Sequence, residues 1–341
     1  MTDFTGNRAP ERLHISDARD LAEQMAVKTV LKTSGPAAGI ARHMCSSMGK
    51  GVRSLLLLIC AADEDLFLPG KAVYMAAAIE IFHMATLVHD DIVDEAHIRR
   101  GIESIPSRFG KKSAVIIGDY LLCASLSTAI KAVDKSDLMH ESYKGLYFLN
   151  KYINSFTKIC LGEMDEVENN RNISLTPRRY LKIISGKTAE LFRIAALIGA
   201  AFAGGDVKQD QVGRIGWYLG MVFQIIDDCK DFGFNSDARK PVKHDLTQGV
   251  VTLPLILALA KKPDMVRLVN DVFFQGRKTE GLIDAVCQAG GIDMTVNIAA
   301  RYSKKAEKLI DGMFDGLKRD MMREMVHNAL SASASFETLR G

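Results

Sequence analysis

From Lys71 to Arg100 the chain contains neither glycine nor proline. A run that long without a helix breaker predicts the longest helix of the protein. Pro69-Gly70 precedes it, and Gly101 and Pro106 are expected to end it. Ile15 to Lys32 reads as an amphipathic helix closed by Ser34-Gly35-Pro36. Further helices are expected over 113–133, 141–168, 177–204 (opened by Thr176-Pro177) and 209–233. After the turn-rich 235–249 come 252–260, 263–275, 279–289, 293–315 and 319–332. No convincing period-2 strand, solenoid repeat or composition break interrupts this pattern. The expected architecture is therefore all-α, one domain spanning 1–341 with roughly ten or more helices, several apolar nearly all round.

Composition narrows the function classes. A formal charge of +3 offers no general surface for a polyanion, so nucleic acid is not expected and any basic site must be local. The cysteines, Cys45, Cys60, Cys123, Cys160, Cys229 and Cys287, are scattered without CxxC pairs. With a polar Met1 to Arg12, they fit a reduced, cytoplasmic setting. The apolar runs Leu55 to Ala62 and Ile194 to Gly204 fall short of the roughly 20 residues of a membrane-spanning helix, so no integral membrane segment is expected.

Two acidic clusters carry the chemistry. Asp90, Asp91 and Asp94 stand at i, i+1 and i+4, at 0°, about 100° and about 40° around a helix, and so project into one sector. Asp227, Asp228 and Asp231 repeat the spacing. Carboxylates that close repel unless a cation bridges them. Mg²⁺, which takes oxygen ligands and is typically held by one or two carboxylates plus phosphate, suits them best. A single DDxxD is more often a solvated helix face. Here both follow apolar stretches, Ala72 to Val88 and Trp217 to Ile226, where solvation is an odd role.

With these clusters in place, the chain resembles the trans-isoprenyl diphosphate synthases, or polyprenyl synthetases, from about Gly49 to Pro254. Glu80-Ile81-Phe82-His83 through Asp94 and Arg99-Arg100-Gly101 resemble the family's first aspartate-rich motif. Phe109-Gly110 and Gly118-Asp119-Tyr120-Leu121-Leu122 follow as they do there, and Gly186-Lys187-Thr188-Ala189 resembles its KT motif. Phe223-Gln224-Ile225-Ile226-Asp227-Asp228 with Asp231 resembles the second aspartate-rich motif. Lys240-Pro241, Asp245-Leu246, Gly249 and Thr252-Leu253-Pro254 complete the order.

The resemblance implies an isoprenoid-synthase-type helical bundle around a deep central cavity, usually a homodimer. Such enzymes condense an allylic diphosphate with isopentenyl diphosphate, using three Mg²⁺ ions with the bound diphosphate. By that analogy Asp90, Asp94 and Asp227 are metal ligands, supported by Asp91, Asp228 and Asp231. Arg99, Lys187 and Lys240 would hold the allylic diphosphate, and Lys50, Arg53, His83 and Arg100 the isopentenyl diphosphate. Thr188 and Gln224 would line the reacting region. The residue types suit the chemistry, since a leaving diphosphate needs cations and the allylic cation needs a dry, apolar cavity.

Some positions depart from the family pattern. Gly49-Lys50-Gly51-Val52-Arg53-Ser54 lacks a middle Arg and a Pro common in long-chain members; Glu166 stands near where Gln is common, and Val250 replaces a frequent Lys. In the family, large side chains four or five residues before the first aspartate floor the cavity. Here those positions are Thr86 and Ala85, both small. The expected product is therefore longer than twenty carbons, with a deeper floor formed by Leu122, Leu126, Phe148 or Phe156. Two other classes stay open. A class I terpene cyclase would usually carry an Asn/Asp, Ser/Thr, Glu second motif, and a regulatory subunit of a heteromeric synthase would lose one or both clusters; both are complete here.

Overall fold

The computed structural model describes residues 10–35, 37–133, 144–204, 208–234 and 244–331. The first half holds α1 (Ile15–Val30), α2 (Ala37–Cys45), α3 (Val52–Ala61), α4 (Ala72–Val93), α5 (Ile105–Phe109) and α6 (Lys111–Ile130). Then come α7 (Lys144–Glu168), α8 (Pro177–Ile184), a π-helical turn (Ser185–Ala189), α9 (Glu190–Ala203) and α10 (Gln209–Lys230). The remainder comprises α11 (His244–Gln248), α12 (Leu253–Lys261), α13 (Val266–Gln275), α14 (Glu280–Ala289), α15 (Gly291–Asp311) and α16 (Gly316–Leu330).

The structure corrects the sequence reading in four places. The long helix ends at Val93 rather than Arg100, because Glu95 turns into the left-handed region at φ 48°. Beyond it β3 (Ile98–Arg99) pairs antiparallel with β4 (Ile102–Glu103). Their two-residue turn, Arg100-Gly101, has φ of 51° and 82°, the positive pair of a tight hairpin loop. A second ribbon joins β1 (Arg12–His14) to β2 (Phe67–Pro69); strands of two or three residues are too short to show a period. The helix expected over 177–204 is broken by the π-turn. Finally, α4 and α6 do reach membrane-spanning length and apolarity, but α4 is a core helix, with 72% of its most apolar window buried.

The main core lies where α1, α3, α4, α9, α10 and α16 meet. In α3 every residue from Ser54 to Ala61 is buried, and each large aliphatic side chain there contributes roughly 1.5–3 kcal/mol of burial. Both ends of α3 are tied as well. The Ser54 N–H donates to Glu80 on α4 at 3.1 Å, and the Lys318 ammonium on α16 donates to the carbonyls of Cys60 and Ala62 at 3.1 and 2.6 Å. α9 and α10 touch at backbone range, since a Cβ on Gly216 would stand 2.4 Å from the Phe192 carbonyl oxygen. A second core joins α8, α10 and α12 to α14 at the other end.

Candidate active site

On α4, the structure separates the three aspartates that the helical wheel put in one sector. Asp90 shares its side of the helix with Thr86 and His83, four and seven residues earlier, and with Asp94 at the helix end. Asp91 lies about 100° away and is buried at 3% exposure. There the Arg99 guanidinium meets it through Nη2 at 2.5 Å and Nε at 2.6 Å. The hairpin makes this pair possible by folding Arg99 back over the helix end. Arg100 points the other way, donating to the Ser47 carbonyl at 2.9 Å. Its guanidinium lies against Gly49, where a Cβ would come within 2.6 Å. Burial, with the Glu163 and Asp94 charges adding to it against Lys187 and Arg99, pushes the Asp90 carboxyl up to about 8.

On α10, Asp228 is 3% exposed and fixed by two donors. The Tyr180 hydroxyl donates to one oxygen, and the Gln224 amide to the other at 2.6 Å. Gln224 in turn accepts from the Thr188 hydroxyl at 2.7 Å. Burial pushes Asp228 up to about 8, even though Tyr180 and Gln224 stabilise its charge. Asp227 is half-buried and takes Lys230 at 2.8 Å. Asp231 caps the end of α10.

The third wall is α7 with the π-turn. Single π-turns inside helices recur at functional sites, and this one carries Lys187 and Thr188. Its backbone packs directly on α7, since a Cβ on Gly162 would lie 2.3 Å from the Lys187 nitrogen. The Trp217 indole donates to Ser185 at 2.8 Å and pins the start of the turn. The Lys187 ammonium reaches Glu163 at 2.9 Å and, still closer, Glu166. Burial alone would lower Lys187, but Glu166, Glu163 and Asp90 hold it well above its ordinary value.

A basic wall completes the surroundings. The Arg53 guanidinium stacks on Phe192 at 4.6 Å and approaches Phe223 at 5.9 Å. Its Nη1 donates to His83 Nε2 at 3.2 Å, a ring that burial and the nearby arginines keep neutral. Burial lowers Arg53 itself to about 10. Among the described residues its Nε, like the Thr252 hydroxyl, is buried with no hydrogen-bond partner, an arrangement that leaves donors for a ligand. Lys50 is exposed just before α3.

A cleft of ≈ 780 Å³, its open mouth included, is lined by Asp94, Asp227, Asp228, Gln224, Lys187 and Glu166, together with Val250 and Thr252. Lys50, Arg53, His83 and Arg100 stand outside its lining, on the neighbouring basic wall. Lys240 lies outside the described residues. The two chain-length positions separate: Ala85 is fully buried among Met84, Val88, Ile117 and Leu121, whereas Thr86 is half-buried with its hydroxyl on the His83 carbonyl at 2.9 Å. Sequence reasoning passed over Tyr180, Glu163 and Phe82. Phe82, eight residues before Asp90, stacks on Phe156 at 3.8 Å and meets Tyr152 edge-on at 6.3 Å.

Among the described residues no three acidic, His or Cys side chains converge closely enough to hold an ion by themselves. The donor set still fits Mg²⁺, which keeps several waters and takes one or two carboxylates with substrate phosphate completing the shell. No hydrogen bond or ion pair among the described residues occupies the side-chain carboxylate of Asp90 or Asp94.

The polyprenyl synthetase family model matches residues 37–289. The chain belongs to the polyprenyl synthetase family. It is 30% identical over 313 residues to heptaprenyl diphosphate synthase component 2 of Bacillus subtilis (strain 168), covering 90% of this chain and 86% of that one. The crystal structure of heptaprenyl diphosphate synthase from Staphylococcus aureus superposes with a TM-score of 0.83 at 28% identity, covering 94% of this chain and 98% of the other. That of polyprenyl synthase from Caulobacter crescentus CB15, complexed with calcium and isoprenyl diphosphate, gives 0.82 at 27%, covering 92% and 94%. The all-α bundle of this polyprenyl synthetase is thus the fold of its relatives.

Proposed function

We propose that the chain is a trans-polyprenyl diphosphate synthase, a single-domain prenyltransferase that condenses an allylic diphosphate with isopentenyl diphosphate. The observation that carries this reading is that Asp94, at the end of α4, and Asp227 and Asp228 on α10 line one cleft together with Lys187. Asp90, Asp94 and Asp227 would hold Mg²⁺, three ions with the bound diphosphate. Asp91 and Asp228, each fixed by a protein donor, support them, as does Asp231. When bound, the metal neutralises charge on the departing diphosphate.

The chain's own residues do the rest. Lys187, Arg99 and Lys240 hold the allylic diphosphate, and Lys50, Arg53, His83 and Arg100 that of isopentenyl diphosphate. Thr188 and Gln224, linked by their hydrogen bond, flank the reacting carbons and keep Asp228 oriented. Phe192 and Phe223 present ring faces next to Arg53, an apolar lining that keeps water from an allylic cation. The allylic carbon–oxygen bond breaks to leave an allylic cation, the alkene of isopentenyl diphosphate attacks that cation, and the released diphosphate takes the proton that is lost.

The small Ala85 and Thr86 support a product longer than twenty carbons. A partner copy is supported by apolar side chains left outside on α6 and α7, among them Ile116 at 70% exposure, Leu161 at 56% and Met164 at 66%. The cysteines among the described residues are all free thiols, in keeping with a cytoplasmic setting. The Bacillus relative's name, component 2, favours one second reading, a subunit of a heteromeric synthase. Purified protein given farnesyl diphosphate, isopentenyl diphosphate and Mg²⁺ tests both. Products beyond twenty carbons from this chain alone support the main reading; arrest at twenty ends the length argument, and activity only with a second chain supports the other.

A further inference from the structure

The lysine assigned to the allylic diphosphate is already occupied. Lys187 Nζ is 2.9 Å from Glu163 and closer still to Glu166, and the three side chains are only 20%, 19% and 23% exposed. An ammonium has three donors, and two are spent on these carboxylates. The π-turn holds the Lys187 backbone against Gly162, so the pair parts by rotation of side chains. Glu163 and Glu166 lie at i and i+3 on α7, on one side of that helix.

The local charge decides what this means for a ligand. One ammonium between two carboxylates carries a net charge of −1, and Asp94 and Asp227 line the same cleft. A diphosphate entering alone meets this negative field and must also displace a carboxylate from Lys187. Of the two glutamates, only Glu166 lines the cleft beside Lys187. It also stands near where the family resemblance leads one to expect glutamine, and a glutamine at 166 would leave the group neutral.

We propose that Glu166, with Glu163 behind it, latches Lys187 in the unliganded enzyme, so that the lysine turns to a diphosphate only after divalent cations have occupied the aspartates. Glu166 is a positioning residue, acting through Lys187. The inference rests on the diphosphate reading of the cleft and makes this chain's binding order a property of one side chain.

Isothermal titration calorimetry of the full chain with inorganic pyrophosphate tests it. In EDTA at low salt, Glu166→Gln should bind pyrophosphate at least about tenfold more tightly than the wild type, a change of ~1.4 kcal/mol, and Glu163→Gln should gain less. In millimolar Mg²⁺ the difference should shrink to about threefold or less. Adding Lys187→Met to Glu166→Gln should erase the gain in EDTA, and the smaller gain of Glu163→Gln, which removes the same charge, separates the latch from a general change of field. Equal affinity of wild type and Glu166→Gln in EDTA, with both binding pyrophosphate in Mg²⁺, overturns the latch and leaves the enzyme reading intact. If neither protein binds pyrophosphate with Mg²⁺, the diphosphate reading fails, and the latch with it.

Discussion

Replacing Arg53 with methionine should separate stability from substrate binding. Burial brings the guanidinium from its ordinary 12.5 to about 10; at ~1.36 kcal/mol per pH unit, that drop burdens the charged side chain by about 3 kcal/mol. Because the folded value lies below the unfolded one and both exceed neutrality, the burden is present throughout the physiological range. Against it stand the stacking on Phe192 at 4.6 Å, worth up to about 2 kcal/mol, and the His83 hydrogen bond at 3.2 Å, worth about 1 kcal/mol net. The opposing contributions nearly cancel, and a methionine of similar length keeps the packing. Arg53→Met should therefore melt within about 3 °C of the wild type, or above it. Binding should respond differently: one or two charge-assisted hydrogen bonds to diphosphate, at roughly 1.5–3 kcal/mol each, are lost. The KM for isopentenyl diphosphate should rise roughly ten- to a hundredfold, with a smaller change for the allylic substrate. Steady-state kinetics and differential scanning calorimetry on the same preparation decide it. A fall of more than about 10 °C in Tm with KM unchanged would make Arg53 a structural residue and refute the argument.

Other outcomes follow from the same geometry. Phe82 stacks on Phe156 about 12 Å below Asp90, two helical turns down α4, and Phe82→Ala removes about as many carbons as one isoprene unit contains. Its products, read by chromatography, should lengthen by at least one unit; an unchanged distribution from a cooperatively melting variant removes Phe82 from the floor. Asp90 and Asp228 stand at about 8 in the metal-free fold, above their unfolded value of 3.8. The stability they contribute is present at low pH and lost as pH rises through 8. Melting in EDTA should thus fall between about pH 6.5 and 8.5, a window above the titration of His83, and Mg²⁺ should restore more of it at the upper end. A flat or rising profile in EDTA would contradict the burial assigned to these carboxylates.

How much of this could be read from the residues depends on distance along the chain. Helix content followed from local signals: the breaker-free run into α4 and Thr176-Pro177 opening α8. The hairpin after α4 was missed because Glu95 and Arg100 adopt positive φ without being glycine, which no propensity predicts. The π-turn was missed for a similar reason, since it depends on Gly162 of α7 pressing against Lys187. Within the site, the aspartates announced themselves by spacing. Tyr180 and Glu163 did not, because each acquires its role from a partner 48 or 24 residues away. Asp91 shows the limit of periodicity: the helical wheel placed it near Asp90, and only the fold gave it Arg99.

The central claim is that the two aspartate clusters grip one metal-bound diphosphate. Calorimetric titration of Mg²⁺-pyrophosphate into the wild type, Asp90→Asn, Asp227→Asn and the double variant tests it most directly. If both helices hold the same ligand, each single variant should lose at least about a hundredfold in affinity, and the double variant should lose much less than the product of the two. Losses that multiply independently, or a single variant that binds as the wild type does, would contradict the account.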